Sequence, residues 1–379
     1  MKILFLFPHI LTPGGAAQVV LKFAAGLQDQ GHAVVILCAN ASKEFCNQHA
    51  NLKIVQIGIP NSSSMAYWFL MPFWQKRINQ ALNAYSDYVL CPQVLPSSWW
   101  AWAYKRKYPA AKIAWYCHEP SAFIHSRTWI NALTNPLVRL GAKMANPFLK
   151  WLDLNWELEN DLVICNSQFT AAQYESTYGR KPSAVIYPPS DIHLAPLTIA
   201  KRDYFLTVCR LTKFKRVDDL ILAFQTFLQK HPKYQLLIAG DGESRSELEQ
   251  LVKGLQLEDR VRFLGWTSGA ALTKLYQEAK ATVSFSQNET FGLVPIESMM
   301  NGTPVISHNS GGPRETIHSG QSGFLFDTPV ELVKYMDVIT AMDAETYHEM
   351  QRQCQVAAQK FDLKVLLPQL EAVLEQLNF

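Results

Sequence analysis

A chain of 379 residues is long enough for two domains, each with its own core. Its 48% hydrophobic and 18% charged content is that of a globular protein and excludes intrinsic disorder, while the net charge of +3 excludes nothing as a total. The distribution says more: the first 200 residues hold 16 Lys and Arg against 10 Asp and Glu, and the remainder 19 against 22. A basic front half and an acidic back half point to a polyanionic or membrane-facing surface on the first domain.

In chain order, Lys2–Pro8 (KILFLFP) reads as a buried first strand. Pro8 and His9 interrupt its apolar run and no clean cleavage site follows, which argues against a signal peptide. A glycine-containing loop over Thr12–Gly15, a helix from about Ala16 to Gln30 closed by Gly31, and a strand Ala33–Cys38 complete a βαβ start. Continuously apolar strands imply a parallel sheet covered on both faces. Asp87–Cys91, Lys112–Cys117, Asp161–Asn166 and Ala184–Tyr187 are the next strand candidates. Met65–Trp74 is the longest later apolar run and is too short to cross a bilayer.

Tyr187–Thr198 is rich in Pro and reads as a linker. The α/β alternation then restarts. Strands are expected at Tyr204–Cys209, Gln235–Ala239, Val261–Leu264, Thr282–Phe285 and Pro304–Ser307. Helices are expected at Asp218–Lys230, Ser244–Gly254, Leu272–Ala279 and Pro295–Asn301. Two doubly wound domains result, residues 1–196 and 197–361, with a C-terminal helix at about 362–379 packing back on the first. Ligands are expected at strand C-terminal ends, in the cleft between the domains.

The stretch Asn288–Gly302 (NETFGLVPIESMMNG) carries the first chemical signal. Glu289 and Glu297 stand eight residues apart, about 12 Å along a helix or roughly 26 Å along an extended chain. Gly292 and Pro295 argue against both extremes and place Glu289 on a loop and Glu297 in the first turn of a helix starting near Pro295. Leu293 and Val294 are poor N-caps, so the helix start offers N–H groups to an anion. Two carboxylates beside it suit the hydroxyls of a sugar or ribose; two solvated surface acids are the plainer alternative.

VCRLTKFKRVDDLI (208–221), IAGDGE (238–243), FLGWTS (263–268), the E-x7-E stretch just described, SGGPRETI (310–317) and SGFLF (322–326) together resemble the retaining nucleotide-sugar glycosyltransferases of family 4. The first half is similar only in Gly14-Gly15 and in YCHEP (116–120). The resemblance implies a GT-B fold, α/β, with two Rossmann-like doubly wound domains facing across a cleft. It also implies roles. Arg210 and Lys215 would neutralise the diphosphate leaving group. Glu289 would lie beside the donor sugar and Glu297 would accept from the ribose hydroxyls. The amides near Phe291, Gly292, Leu293 and Val294 would hold sugar or phosphate oxygens. Gly14 and Gly15 would approach the donor phosphates and the acceptor, and His118 would face the donor sugar. This sequence has GGAAQ where many relatives carry a charge after the glycines. Trp266 is expected near the nucleobase.

No D-x-D triplet occurs, the E-P after His118 is not a zinc-protease sequence, and neither metal nor cofactor is expected. The seven Cys are odd in number with no C-x-x-C; Cys38, Cys117, Cys165 and Cys209 read as buried free thiols of a reducing compartment. The stretches Trp99–Tyr108 and Arg127–Trp156 mix Trp with cations, including Trp129, Phe148, Trp151 and Trp156. They read either as a membrane-interface surface or as core tryptophans beside solvated cations. Nucleic-acid binding is not expected, since no recognised module is present.

The expected activity is transfer of a glucose or mannose from a nucleoside diphosphate sugar, UDP-glucose or GDP-mannose. The acceptor is a glycan or lipid-linked species in cell-surface polysaccharide biosynthesis. The expected location is cytoplasmic, with peripheral contact on the inner face of the cytoplasmic membrane. A sugar-nucleotide epimerase and a non-catalytic sugar-nucleotide-binding subunit are the alternatives.

Overall fold

The structure is a computed structural model and describes residues 1–10, 14–59, 65–125, 136–190, 193–197 and 200–377. The chain divides into two compact units, Met1–Pro189 with Leu363–Phe379, and Ser190–Asp362. The boundary thus falls before the Pro/Thr segment, not at 196. Hydrogen bonds explain this: the Ala195 amide donates to the Met300 carbonyl, and Gln355 Nε2 donates to the Ala195 carbonyl, at 3.2 and 2.7 Å. This part of the expected linker is therefore bonded into the second unit.

In the first unit, β1 (Lys2–Ile10), β2 (Ala33–Ala41), β3 (Ile54–Gln56) and β4 (Val89–Pro92) form a sheet in the order β3-β2-β1-β4. A parallel bridge from Leu90 to Ile113 leads to β5 (Ala114–Cys117), β6 (Leu162–Cys165) and β7 (Ala184–Val185). All the strand pairs are parallel. β1 continues through Pro8. β4 pairs only with Ile3–Leu6, so beyond Leu6 the strand keeps one neighbour and a missing N–H is tolerated. The helix Gly15–Asp29 packs Val20, Phe23 and Leu27 on one face of the sheet. Leu367 of the helix Leu363–Leu374 seats against Gly26 there, and His32 Nε2 meets Glu371 Oε1 at 2.8 Å.

The basic-aromatic expectation resolves differently for its two halves. In the helix Ser97–Lys107, Trp100 and Tyr104 are fully buried under the sheet. Trp99 and Trp102 pack against Trp156 with ring centroids 4.8 and 6.0 Å away. Trp100 of this half is core and fills the space between helix and sheet, while Trp99 and Trp102 are half-buried against Trp156. Arg127 and Trp129 lie outside the described residues. Among the described residues no helix is long and apolar enough to cross a membrane.

In the second unit the strands are β8 (Tyr204–Val208), β9 (Gln235–Ala239), β10 (Val261–Gly265), β11 (Ala281–Ser284), β12 (Val305–His308) and β13 (Gly323–Phe326). Their order is β10-β9-β8-β11-β12-β13, all parallel. This is the doubly wound order in which the chain leaves in one direction from β8 and returns on its other side at β11. Phe224 and Phe227 of the helix Val217–Leu228, with Leu332, Met336 and Ile339 of the helix Pro329–Ala341, cover one face over Phe205 and Ile306. The strand order reverses between β8 and β11, and the carboxyl ends of two such strands are where open α/β sheets bind ligands.

Candidate active site

The loop after β8 is pinned by its apolar residue. Leu211 is fully buried, its amide donates to the Asp241 carbonyl at 3.0 Å, and its carbonyl accepts from the Ser244 amide at 3.0 Å. The glycines of IAGDGE make that contact possible. A Cβ on Gly240 would lie 1.9 Å from the Cys209 carbonyl oxygen, and one on Gly242 would lie 2.3 Å from that of Leu211. The chain then makes one 3-10 turn over Lys213–Lys215 and enters the helix Val217–Leu228 through Arg216 at φ 50°.

The loop after β11 is held just as firmly. Phe291 is buried against Phe361, with ring centroids 5.4 Å apart. Asn288 sits at φ 54°, and its amide donates to Ser310 Oγ at 2.9 Å. The Gly312 amide donates to the Glu289 carbonyl at 2.8 Å. A Cβ on Gly311 would meet the Glu289 carbonyl oxygen at 2.2 Å, and one on Gly312 would meet Phe291 Cα at 2.3 Å. The GGP sequence therefore lets one backbone lie on another.

These two loops bring Lys215 and Glu289 together: Lys215 Nζ donates to Glu289 Oε2 at 2.5 Å. The side chains are 26% and 28% exposed, enough to meet a ligand and little enough to keep the pair from full solvation. The Cys209 thiol lies within the field of both charges, and burial pushes it up to about 11. Arg210 does not join the pair by any ion pair found among the described residues. Its guanidinium is 3.8 Å from Glu243, and both side chains are largely exposed.

Glu297 lies on the helix Leu293–Met300, which begins at Leu293 rather than near Pro295. The N-cap is Gly292, at φ 87°, and no side chain caps it. Glycine at the cap starts the helix two residues earlier, so Glu297 is the fifth helical residue and stands beyond the first turn. Tyr276, fully buried on the helix Gly269–Glu278, donates its hydroxyl to Glu297 Oε2 at 2.8 Å. Sequence reasoning did not find Tyr276; the only signal was a phenol in an apolar helix face that needs a partner when buried. Trp266 follows Gly265 at the end of β10 and is 65% exposed.

In the first unit His118 follows β5 and Gln93 follows β4. His118 Nε2 lies 3.1 Å from Gln93 Oε1. Gln93 Nε2 donates to the Cys91 carbonyl at 3.2 Å, so its oxygen is the atom turned to the imidazole. Nε2 of His118 therefore carries the hydrogen and Nδ1 keeps a lone pair. Burial holds this imidazole down to about 4, so it is neutral at physiological pH. Gly14 is the N-cap of the helix Gly15–Asp29, and a Cβ placed on it would meet nothing within 4 Å. Its small size is not demanded by packing among the described residues.

The "Glycosyltransferase Family 4" model matches residues 13–194 and the "Glycosyl transferases group 1" model matches residues 191–361. Two parallel-sheet α/β units and these matches define the class: the chain is a glycosyltransferase of the GT-B fold, an enzyme that moves a sugar from an activated donor to an acceptor. Among curated proteins it is similar to Alpha-1,3/1,6-mannosyltransferase ALG2 of Rhizomucor pusillus, 24% identical over 100% of this chain and 92% of that one. It is likewise similar to Alpha-1,3/1,6-mannosyltransferase ALG2 of Mus musculus, 27% identical over 89% of this chain and 86% of that one. Among solved structures, Anabaena HepE in complex with UDP-glucose superposes with a TM-score of 0.77 at 23% identity, covering 99% of this chain and 100% of that chain.

Proposed function

We propose that this glycosyltransferase is a retaining family-4 enzyme. It moves a hexose from a nucleoside diphosphate sugar onto a glycan or lipid-linked acceptor in cell-surface polysaccharide assembly. The observation that carries the reading is the Lys215–Glu289 pair at the carboxyl ends of β8 and β11. An open α/β sheet binds its ligand at that switch point.

When the bond from the sugar's anomeric carbon to phosphate breaks, negative charge accumulates on the diphosphate. Lys215, with Arg210 on the same loop, supplies positive charge where it develops, and that stabilisation is larger in the transition state than in the ground state. Glu289 orients the ammonium before the donor arrives and accepts from sugar hydroxyls once it is bound. Glu297, held by Tyr276, accepts from the ribose. The acceptor oxygen bonds to the anomeric carbon on the face the phosphate leaves, and the acceptor proton passes to a phosphate oxygen. The configuration is kept and the proton is accounted for. His118 serves the same reaction as a neutral hydrogen-bond acceptor through Nδ1. Gly14, with nothing within 4 Å of its Cβ position, leaves room for a substrate oxygen, Gly15 is assigned the same role beside it, and exposed Trp266 is assigned to the base.

The curated relatives are named mannosyltransferases, and HepE was solved with UDP-glucose. Mannose and glucose are therefore the first sugars to try. The test incubates the protein with GDP-mannose or UDP-glucose, with and without a polyprenyl-diphosphate glycan, and follows free nucleoside diphosphate and acceptor mass. A hexose added to the acceptor, with the diphosphate released, supports the reading. Epimerised donor alone, or donor bound and returned intact with every acceptor, overturns it.

A further inference from the structure

We propose that the outer face of the helix Pro136–Leu158 lies on an anionic lipid bilayer. The helix is inverted relative to an ordinary surface helix, whose apolar stripe faces the core. Its two acidic residues point into the protein. Asp153, 5% exposed, accepts from Ser121 Oγ at 2.7 Å and from the Tyr178 hydroxyl at 2.8 Å, and meets His125 Nε2 at 2.7 Å. Glu157, 3% exposed, accepts from the Tyr174 hydroxyl and pairs with Arg180. Trp156 is buried beside them.

The opposite face carries Leu140, Met144, Phe148, Trp151, Leu154 and Leu158, each between 39% and 75% exposed. Their spacing of three and four residues keeps them in one stripe, and from Leu140 to Leu158 it runs about 27 Å. Phe148 and Trp151 stack, with centroids 6.0 Å apart and planes 21° from parallel. A stripe this long is beyond the scattered apolar residues that any surface shows.

Charge chooses the occupant. The basic residues of the helix are Arg139, Lys143 and Lys150, none of them buried, while both carboxylates are turned inward. The helix thus shows water apolar surface and positive charge with no negative charge of its own. That combination fits the boundary between acyl chains and anionic headgroups, where Trp and Phe settle and Lys stems reach the phosphates. The helix lies on the bilayer; none of the described helices is long and apolar enough to span one.

Flotation with phosphatidylglycerol/phosphatidylcholine vesicles tests this without any sugar substrate, so its outcome is separate from that of the transfer reaction. The wild-type chain is expected to float with anionic vesicles at 100 mM salt, to bind pure phosphatidylcholine more weakly, and to lose binding as salt rises. The double variant Phe148→Glu/Trp151→Glu is expected to bind at least about tenfold more weakly, and so is Lys143→Glu. An unchanged far-UV circular dichroism spectrum and unfolding midpoint show that these surface variants fold. Wild-type protein that stays with the buffer, or a folded double variant that floats as well as wild type, overturns the proposal. So does a dimer that the double variant converts to monomer while vesicle binding is unchanged, because the face would then be a contact between two copies.

Discussion

Lys215 and Glu289 are 74 residues apart in the chain and 2.5 Å apart at Nζ and Oε2. Nothing local brings them together. The pairing of β8 with β11 sets their loops side by side, buried Leu211 and Phe291 fix each loop, and Gly311 and Gly312 press on the backbone that carries Glu289. The site is thus a consequence of strand order.

The glycine contact gives a prediction about stability. In Gly312→Ala the new methyl would lie 2.3 Å from Phe291 Cα, backbone that cannot swing away. A loss of about 2–4 kcal/mol is expected in urea unfolding of the full chain. Gly14→Ala is the contrast, since its methyl meets nothing and its φ of −85° suits any residue. Its change should stay within about 0.5 kcal/mol. Equal effects at the two positions would contradict this account of the loop.

Tyr276 holds Glu297 by one hydrogen bond, and the acceptor oxygen belongs to a carboxylate. Bonds to charged groups contribute about 1.5–3 kcal/mol. With Glu297 in its proposed role as acceptor for the ribose hydroxyls, Tyr276→Phe should raise the KM for the nucleotide sugar roughly tenfold or more while kcat stays within about twofold, because a ribose contact is made equally before and during bond breaking. A fall in kcat at unchanged KM would assign Glu297 to the chemical step.

His118 makes stability depend on pH in a definite direction. Its imidazole is held at about 4 by burial, against 6.5 ordinarily. Above 6.5 both states are neutral and the group contributes nothing. As pH falls from 6.5 towards 4, the unfolded chain takes up a proton that the folded chain refuses, so stability is lost. The loss at pH 4.5 should be about 2 kcal/mol relative to pH 7. His118→Gln should lose that much less over the same interval in urea titrations; parallel curves would show that the imidazole protonates normally.

In the proposed reaction the positive charge of Lys215 and Arg210 takes the place of a divalent ion beside the diphosphate. Turnover should therefore survive 5 mM EDTA within about twofold. Loss of activity restored by Mg2+ or Mn2+ would show that the cations on the loop are insufficient.

The apolar runs of the second unit's α/β pattern are legible in the sequence. Gln235–Ala239 stands where expected, and the second unit's other expected strands shift by a residue at most at either end. Helix starts were less so. Gly292 takes a positive φ and caps the helix that Pro295 alone suggested would begin later. The helix Pro329–Ala341 carries a full sequence signature, Thr328 with Glu331 in a capping box and Pro329 at the first position, that went unread. β3 was missed because three half-exposed residues have no period to recognise. Gln93 and Tyr276 could not be found from sequence, since each is defined by a partner more than 20 residues away. The basic-aromatic stretches look alike as sequence and differ in three dimensions: Trp100 fills the core, while Trp151 faces outward.

The central claim is that the Lys215 ammonium stabilises the departing diphosphate. It is tested most directly by single-turnover transfer from GDP-mannose or UDP-glucose, whichever the wild-type protein uses, comparing wild type with Lys215→Met. The account predicts that the rate falls by at least about a hundredfold in the variant, with the fold intact by circular dichroism. A folded Lys215→Met protein that transfers sugar at the wild-type rate would contradict it.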